Sequence, residues 1–574
     1  MSGVGPGPGP EPVVDPVADP DPGSDDIGSG RDGVLASSAV MAAGTVVSRL
    51  SGFVRSALLA AALGLSTHAD IFTIANTIPN MLYILLAGGV FNAVLVPQLV
   101  RAMKHDPDGG EAYTNRIVTL AALFLFAVTI ALVLFAPAVM SLYLDRGFYD
   151  ANRAEQLASV IAFARYCLPQ VFFYGMFVLV GQILNSRGRF GPMMWAPIAN
   201  NVISLATLVV YLVAFGPARG AELGGGYSGG QELLLGVGST LGIALQLVIL
   251  VPYLKRAGFT YRPRFDFRGT GLGQTFRLGV WTVLFVIVNQ IAYTVVVRLA
   301  SGGTADGGDG TGYTVYSSAF LIVMVPHSVI TVSLATAILP RLSSSAAAGD
   351  LRALSGTLTS ALRAALAVVV PFAALLPLVA TDVANVIWGH GAASGGFELY
   401  APSLALFGPG LVMFTVHYLM LRGFYALELT RTVFFIQCAV AITNVVGALV
   451  VVSGASPQET SPALVIAYFT SYAVGAAVSF LMLSSRLGGL DGRRLFRFVV
   501  RLVLVVAGST AVAGAAAFGL GQLWGSAPHW SLALVRGGLV GGVDLVVFVV
   551  LARTFRLREV TSVISTVTRR LGVG

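Results

Sequence analysis

The stretch SRLSGFVRSALLAAALGLSTHAD, residues 48–70, is greasy enough to enter lipid, yet it holds Arg49 and Arg55 and ends on Asp70. A helix entering a bilayer at about residue 34 and rising 1.5 Å per residue reaches Arg49 after roughly 22 Å and Arg55 after about 31 Å. An arginine at that depth costs at least ~2.5–3.5 kcal/mol by insertion scales, so it has to face protein or a water-filled cavity. Six residues separate the two side chains by about 120° around the helix, so they line a broad face. One reading is an anion site, because guanidinium forks match phosphate oxygens. The other is structural pairing with Asp70 or with carbonyls at a kink. Asp70 itself either caps a helix N-terminus, where a carboxylate suits the dipole, or pairs with an arginine as an outer gate.

The rest of the chain supports the membrane reading. Of 574 residues, 56% are hydrophobic and 11% charged, too few charges to cover a soluble protein of this length. With about 20 apolar residues needed per crossing, fourteen spans are expected, near 34–63, 69–102, 113–143, 156–186, 190–214, 232–254, 274–300, 313–342, 354–388, 399–427, 431–453, 463–485, 494–523 and 529–553. The net charge of +8 sits in short connectors between spans, which argues for membrane orientation and against nucleic-acid binding. Residues 1–33, rich in Pro, Gly and Asp, read as a disordered tail with none of the features of a signal peptide. The two cysteines, Cys167 and Cys438, lie far apart inside apolar spans and offer neither a disulfide framework nor metal-ligand spacing.

Alternate connectors are basic, among them those holding Arg187 and Arg189, Lys255 to Arg277, and Arg486 to Arg497, whereas the opposite set holds mostly Gly, Ser and Thr. The positive-inside bias puts both termini in the cytoplasm, as an even number of spans also requires. An internal repeat runs through the chain. NAVLVPQL (92–99) answers ATAILPRL (335–342) at an offset of 243, and Pro169 answers Pro409 at an offset of 240. The expected architecture is therefore all-α and polytopic. Two six-helix lobes, 34–256 and 257–488, form a parallel pseudo-repeat, followed by two added spans in 489–555 and a short cytoplasmic tail, 556–574. Such repeats belong to transporters, with the site between the lobes.

In span 2, Pro79 and Gly88-Gly89 are expected to bend the helix, with Asn76, Asn80 and Asn92 satisfying freed backbone groups or lining a cavity. Gly88-Gly89 equally permits close helix packing. Among other polar groups inside spans, Arg298 lies toward the outer end, and His327 follows Pro326 in span 8, as a proton-linked group or a hydrogen-bonded packing residue. No P-loop lysine follows any glycine run, so no nucleotide cofactor is expected and transport would draw on the membrane potential or an ion gradient.

SRLSGFVR, IPN (78–80), GGVFNAVLVPQL (88–99), GQILNSRGRFGPMMWAPIANN (181–201), VPHSVITVSLATAILPRLS (325–343) and RGFYALELTRT (422–432) together resemble the MurJ/MviN lipid II flippases, in an actinobacterial style of composition. The resemblance spans all the expected helices. It implies the multidrug/oligosaccharidyl-lipid/polysaccharide exporter fold and a V-shaped cavity. It further implies passage of undecaprenyl-pyrophosphate-linked peptidoglycan precursor across the cytoplasmic membrane, without enzymatic chemistry and possessing partners among cell-wall synthesis proteins. Arg49 and Arg55 match the family's cavity arginines and Asp70 its acidic residue. The chain departs from the family at Tyr83, Ile84, Gly88 and Leu321, where charged residues are usual. The resemblance thus gives Arg49, Arg55, Asp70 and Asn80 as substrate-binding, with Asn76, Tyr83, Arg298 and His327 as accessory positions. Two alternatives stay open: export of another lipid-linked glycan or of drugs and cations, and a scaffold for wall-synthesis enzymes. The scarcity of central carboxylates beside two arginines weighs against a cation exporter.

Overall fold

The computed structural model describes residues 44, 47–48, 50–85, 102, 108, 110–189, 191–266, 272–305 (backbone alone for 272–279), 310–525 and 529–561. Among these there is no strand. The N-terminal half contains α1 (Leu50–Leu63), α2 (Thr67–Tyr83), α3 (Glu111–Leu134), α4 (Ala136–Tyr143), α5 (Ala154–Cys167), α6 (Gln170–Ser186), α7 (Gly191–Ala214), α8 (Gly229–Val248) and α9 (Leu250–Arg256). The second half contains α10 (Leu272–Ala305), α11 (Tyr313–Pro326), α12 (Val332–Ala347), α13 (Leu351–Trp388), α14 (Tyr400–Ala426), α15 (Thr430–Ser453) and α16 (Thr460–Arg486). Two further helices follow, α17 (Gly492–Trp524) and α18 (Trp530–Thr554).

Twelve helical segments among the described residues are long and apolar enough to cross a membrane. α1 and α2 are shorter, and the expected first and second spans, 34–63 and 69–102, extend outside the described residues, as do Arg49, Gly88, Asn92 and the tail 1–33. The remaining span boundaries fall within a few residues of those read from hydropathy. What hydropathy alone does not show is the breaks. Span 3 divides at Phe135, with Pro137 in the first turn of α4, and span 4 divides at Pro169, the residue before α6. Proline at a helix start loses nothing, since its missing N–H would have no partner there.

The two halves use the same pairings. In the first, α2 packs on α5 and α6, α3 on α6, α5 and α6 on α8, and α7 on α8. In the second, α11 packs on α14, α13 on α14, α14 on α16, and α15 on α16. Spans 2·4, 3·4, 4·6 and 5·6 thus recur as 8·10, 9·10, 10·12 and 11·12. The halves meet where α2 touches α10 and α11. There α2 buries Ile71, Ile74, Ala75 and Ile78, the i, i+3, i+4, i+7 stripe of one helix face, against a core that includes Tyr313, Val315, Ala319 and Val323 of α11. In lipid, close packing takes the place of the hydrophobic drive. At the α13–α14 contact, Gly408 lies so near the Ala373 backbone that a β-carbon would collide with it.

The segment joining the halves is fastened to α3. Arg262 N–H donates to Asn115 Oδ1 at 2.8 Å, Arg264 N–H to Thr119 Oγ1 at 3.1 Å, and Arg116 pairs with Asp266 at 2.7 Å. The hydrogen bond from Arg116 draws the Asp266 carboxyl below its ordinary range.

Candidate functional site

A cavity of ≈ 230 Å³ lies between the helices of the first half, closed on one side by α11. Arg55, Ser56 and Leu59 of α1 face it, with Phe72, Thr73, Asn76 and Thr77 of α2. Ser204 and Thr207 of α7, Ser239 of α8, and Ser317 and Ser318 of α11 complete the polar part of its wall, with Leu321 of α11 beside them. Arg55 stands eight residues before the end of α1, about 12 Å in from that end, so its charge is held deep among apolar spans. Among the described residues it forms no ion pair. The phenol of Tyr174 is its electrostatic neighbour. A guanidinium at this depth, with no carboxylate paired to it among the described residues and hydroxyls around it, has the chemistry to hold an anion.

Asn76 is oriented for such a site. Its Oδ1 accepts from Gln170 Nε2 at 3.0 Å, which leaves its own N–H groups for the cavity. Leu321, one of the positions where the resemblance leads one to expect a charge, shares this wall with Arg55.

Asp70 lies apart from the cavity, fully buried where the halves meet. Its Oδ2 accepts from Thr304 Oγ1 at 2.8 Å and from Tyr313 N–H at 3.0 Å, and its Oδ1 from Thr314 N–H at 2.7 Å. It therefore caps a helix, but the helix is α11 in the other half. The two first N–H groups of α11 have no intrahelical partner, and the carboxylate supplies one across the interface. Gly312 makes this approach feasible, since a β-carbon there would collide with the Asp70 carboxylate. Nearby, Thr67 Oγ1 donates to Thr304 O, Tyr227 Oη to His68 O, and Ser66 Oγ to Leu223 O. Together these bonds tie the start of α2 to α10 and to the segment before α8.

The other residues read from the sequence are dispersed. Asn80 is half-buried on α2 and lies outside the cavity lining. Tyr83 packs against Tyr174, ring centroids 5.6 Å apart. Arg298, near the Asp70 face, donates from Nη1 to Ser141 O at 2.9 Å. His327 is buried among Thr415, at 3.2 Å from its Nδ1, and the rings of Phe414 and Tyr418. The structure brings Arg55 and Asn76 together and leaves these four elsewhere. Sequence reading passed over the hydroxyls of Ser204, Thr207, Ser239, Ser317 and Ser318. Their signal was weak: Ser204 and Thr207 stand at helical i, i+3 spacing in an otherwise apolar span, as does Ser239 four residues after Leu235 in the next.

Known proteins resemble this chain in sequence and in fold. The model of the family described as "Lipid II flippase MurJ" matches residues 59–532. A Rhizobium tropici protein described as "Probable lipid II flippase MurJ" is 27% identical over 71% of this chain and 73% of its own length. A Rhizobium meliloti protein of the same description is 26% identical over 89% of this chain and 92% of its own. The solved structure entitled "Lipid II flippase MurJ, inward closed conformation" superposes with a TM-score of 0.67 at 16% identity, covering 90% of this chain and 98% of that one, and so shares the fold. A family match over most of the helical region, on a chain with an unpaired arginine in a cavity at membrane depth, leads to one conclusion: the chain belongs to the lipid II flippase MurJ family.

Proposed function

We propose that this multi-pass membrane protein translocates lipid II, the polyprenyl-pyrophosphate-linked peptidoglycan precursor, from the inner to the outer leaflet by alternating access. The observation that carries the reading is Arg55, a cation with no ionic partner among the described residues, in a cavity walled by hydroxyls. Arg55 holds the pyrophosphate, joined by Arg49, the second arginine that the family resemblance gives as substrate-binding, and Asn76 and the serine and threonine hydroxyls bond the polar headgroup. The polyprenyl tail stays in lipid. No bond is made or broken, so the work is positioning and movement.

The basic connectors support an orientation with both termini in the cytoplasm and the Asp70 face outside. The bonds of Asp70 to α11 then hold the outer side shut while headgroup enters from within. Releasing them lets the lobes, 34–256 and 257–488, rock apart on that side. The membrane potential, worth about 2.3 kcal/mol per charge per 100 mV, acts on the charged headgroup as it crosses. Cell-wall synthesis and division proteins are the natural recipients of the product.

The test is translocation of fluorescently labelled lipid II in vesicles containing only this protein. Arg55→Ala is expected to slow it at least about tenfold, the loss of one charge-assisted contact of about 1.4 kcal/mol or more, at unchanged protein level and melting temperature. Unimpaired translocation by both Arg55→Ala and Arg49→Ala would remove the binding role.

A further inference from the structure

A second cavity, ≈ 220 Å³, lies among α10, α11, α15 and α16. Spans 7, 8, 11 and 12 build it, the repeat counterparts of spans 1, 2, 5 and 6 around Arg55. α11 stands between the two: Ser317, Ser318 and Leu321 face one cavity, Tyr316 and Phe320 the other. The chemistry has changed from one repeat to the next. Lys, Arg, His, Asp and Glu are all missing from the described lining of the second cavity, which presents carboxamides and aromatic rings.

Two of its polar atoms are buried without a partner, the hydroxyl of Tyr468 and Oδ1 of Asn444. Tyr468 is 6% exposed, so its hydroxyl is held inside rather than offered to solvent. Asn444 spends its N–H on Ser471 Oγ at 3.3 Å, and Gln437 is fixed by donating to Asn289 Oδ1 at 3.1 Å. Beside the carboxamides of Asn289, Gln290 and Gln437 and the phenols of Tyr293, Tyr316 and Tyr472, the wall thus holds two buried polar atoms without a partner, one hydroxyl and one acceptor, next to aromatic faces. A charged ligand would lose its hydration here and meet no countercharge. A purely apolar one would leave both orphans unpaired, at a cost. What fits is an uncharged ring bearing hydroxyl or amide groups that donate to Asn444 and accept from Tyr468.

We propose that this cavity is a sugar subsite, taking an N-acetylated pyranose of the headgroup while Arg55 holds the pyrophosphate across α11. The inference rests on the lipid II reading and adds a specificity element to it. The repeat supplies two cavities of one geometry, and each has taken the chemistry of a different part of one cargo. A headgroup held in both straddles α11, so that both grips change together when α11 moves.

The experiment uses the full chain in nanodiscs and the neutral disaccharide N,N′-diacetylchitobiose, followed by saturation-transfer NMR. Saturable transfer to the N-acetyl protons is expected, with cellobiose markedly weaker. Tyr468→Phe keeps the ring and Asn444→Leu keeps the volume, and each is expected to raise the half-saturating concentration about tenfold, as for the loss of one buried hydrogen bond. Binding of inorganic pyrophosphate, measured calorimetrically, is expected to be unchanged in both variants and lost in Arg55→Ala. Absence of saturable transfer in the wild type, or equal transfer in both variants, overturns the subsite. Displacement of the disaccharide by sodium chloride, but not by choline chloride, would assign the cavity to a cation and overturn it as well. If the subsite fails while Arg55-dependent translocation persists, the flippase reading stands. If the wild type fails to translocate lipid II, that reading falls whatever the sugar result.

Discussion

Asp70 shows what a single residue tells in advance and what it withholds. Its place beside a helix start is written in the sequence, and capping is a sound reading of it. The helix it caps is not, because Tyr313 and Thr314 lie more than 240 residues on and nothing local links them. The one trace is Gly312, whose missing side chain leaves room for the carboxylate. Asp70→Ala strands two backbone N–H groups and a threonine hydroxyl at a buried interface, which is expected to cost about 3 kcal/mol. Asp70→Asn keeps one acceptor and is expected to cost about 1 kcal/mol. Because the bonds join the two halves, the loss should fall on the closed state of this face. A cysteine placed at Ser317 is expected to react with a membrane-impermeant maleimide from outside several times faster in Asp70→Ala than in the parent. Equal rates with a lowered melting temperature would make Asp70 a stability residue alone. Arg55 was legible for a different reason: a cation inside an apolar span is conspicuous by composition, whereas hydroxyls beside it are not.

At the scale of the element, hydropathy located the spans well and their irregularities only in part. Span 2 was expected to bend at Pro79 and Gly88-Gly89. Among the described residues the helix passes through Pro79 and then widens to a π-turn at Ile84 and Leu85. Span 8 does the same from His327 to Thr331, directly after Pro326. Ile84 and His327 are 243 positions apart, the offset of the sequence repeat, so the two halves carry the same irregularity at the same place. No hydrophobicity pattern marks a π-turn, since one extra residue in a turn leaves composition unchanged; only the prolines hint at it. Such turns inside helices tend to sit at functional sites, and these two follow α2 and α11, the helices through which the halves touch. Pro326 cannot donate to the carbonyl of Ile322, which leaves that turn loose. Pro326→Ala restores the donor and is expected to stabilise the protein by up to about 3 kcal/mol while slowing lipid II translocation severalfold. Melting temperature and vesicle translocation, measured on the same preparation, check both. A more stable variant with full turnover would show that span 8 does not flex there during transport.

For the whole molecule, the repeat could be read from paired motifs such as NAVLVPQL and ATAILPRL, and the two added helices from the span count, but what fixes the added pair could not. α17 and α18 pack against α13, outside the repeated pairings. Arg536 of α18 and Asp382 of α13 were each visible as a charge inside an apolar span, 154 positions apart, with nothing in a single sequence to join them. In the structure they form one buried bidentate pair. Arg536 Nη2 lies 2.6 Å from Asp382 Oδ1, Nε bonds both carboxylate oxygens, and Nη1 donates to Gly525 O at 2.6 Å. Arg536 is 8% exposed and Asp382 3%. An ion pair at such a site gives little net stability over a well-packed apolar pair, but removing one partner leaves a buried charge uncompensated. Arg536→Met is therefore expected to cost about 3–5 kcal/mol, and Arg536→Met with Asp382→Leu to recover most of it. Neither residue of the pair lines the cavity that Arg55 faces. Translocation should accordingly follow stability, falling in the single variant at elevated temperature and returning in the double. Thermal unfolding in nanodiscs reads the first quantity, and lipid II transfer in vesicles the second. A single variant as stable as the parent would mean that packing of α17 and α18, rather than this pair, holds them to the second half. Full stability in the double variant without recovered translocation would instead give the charges a part in the transport cycle.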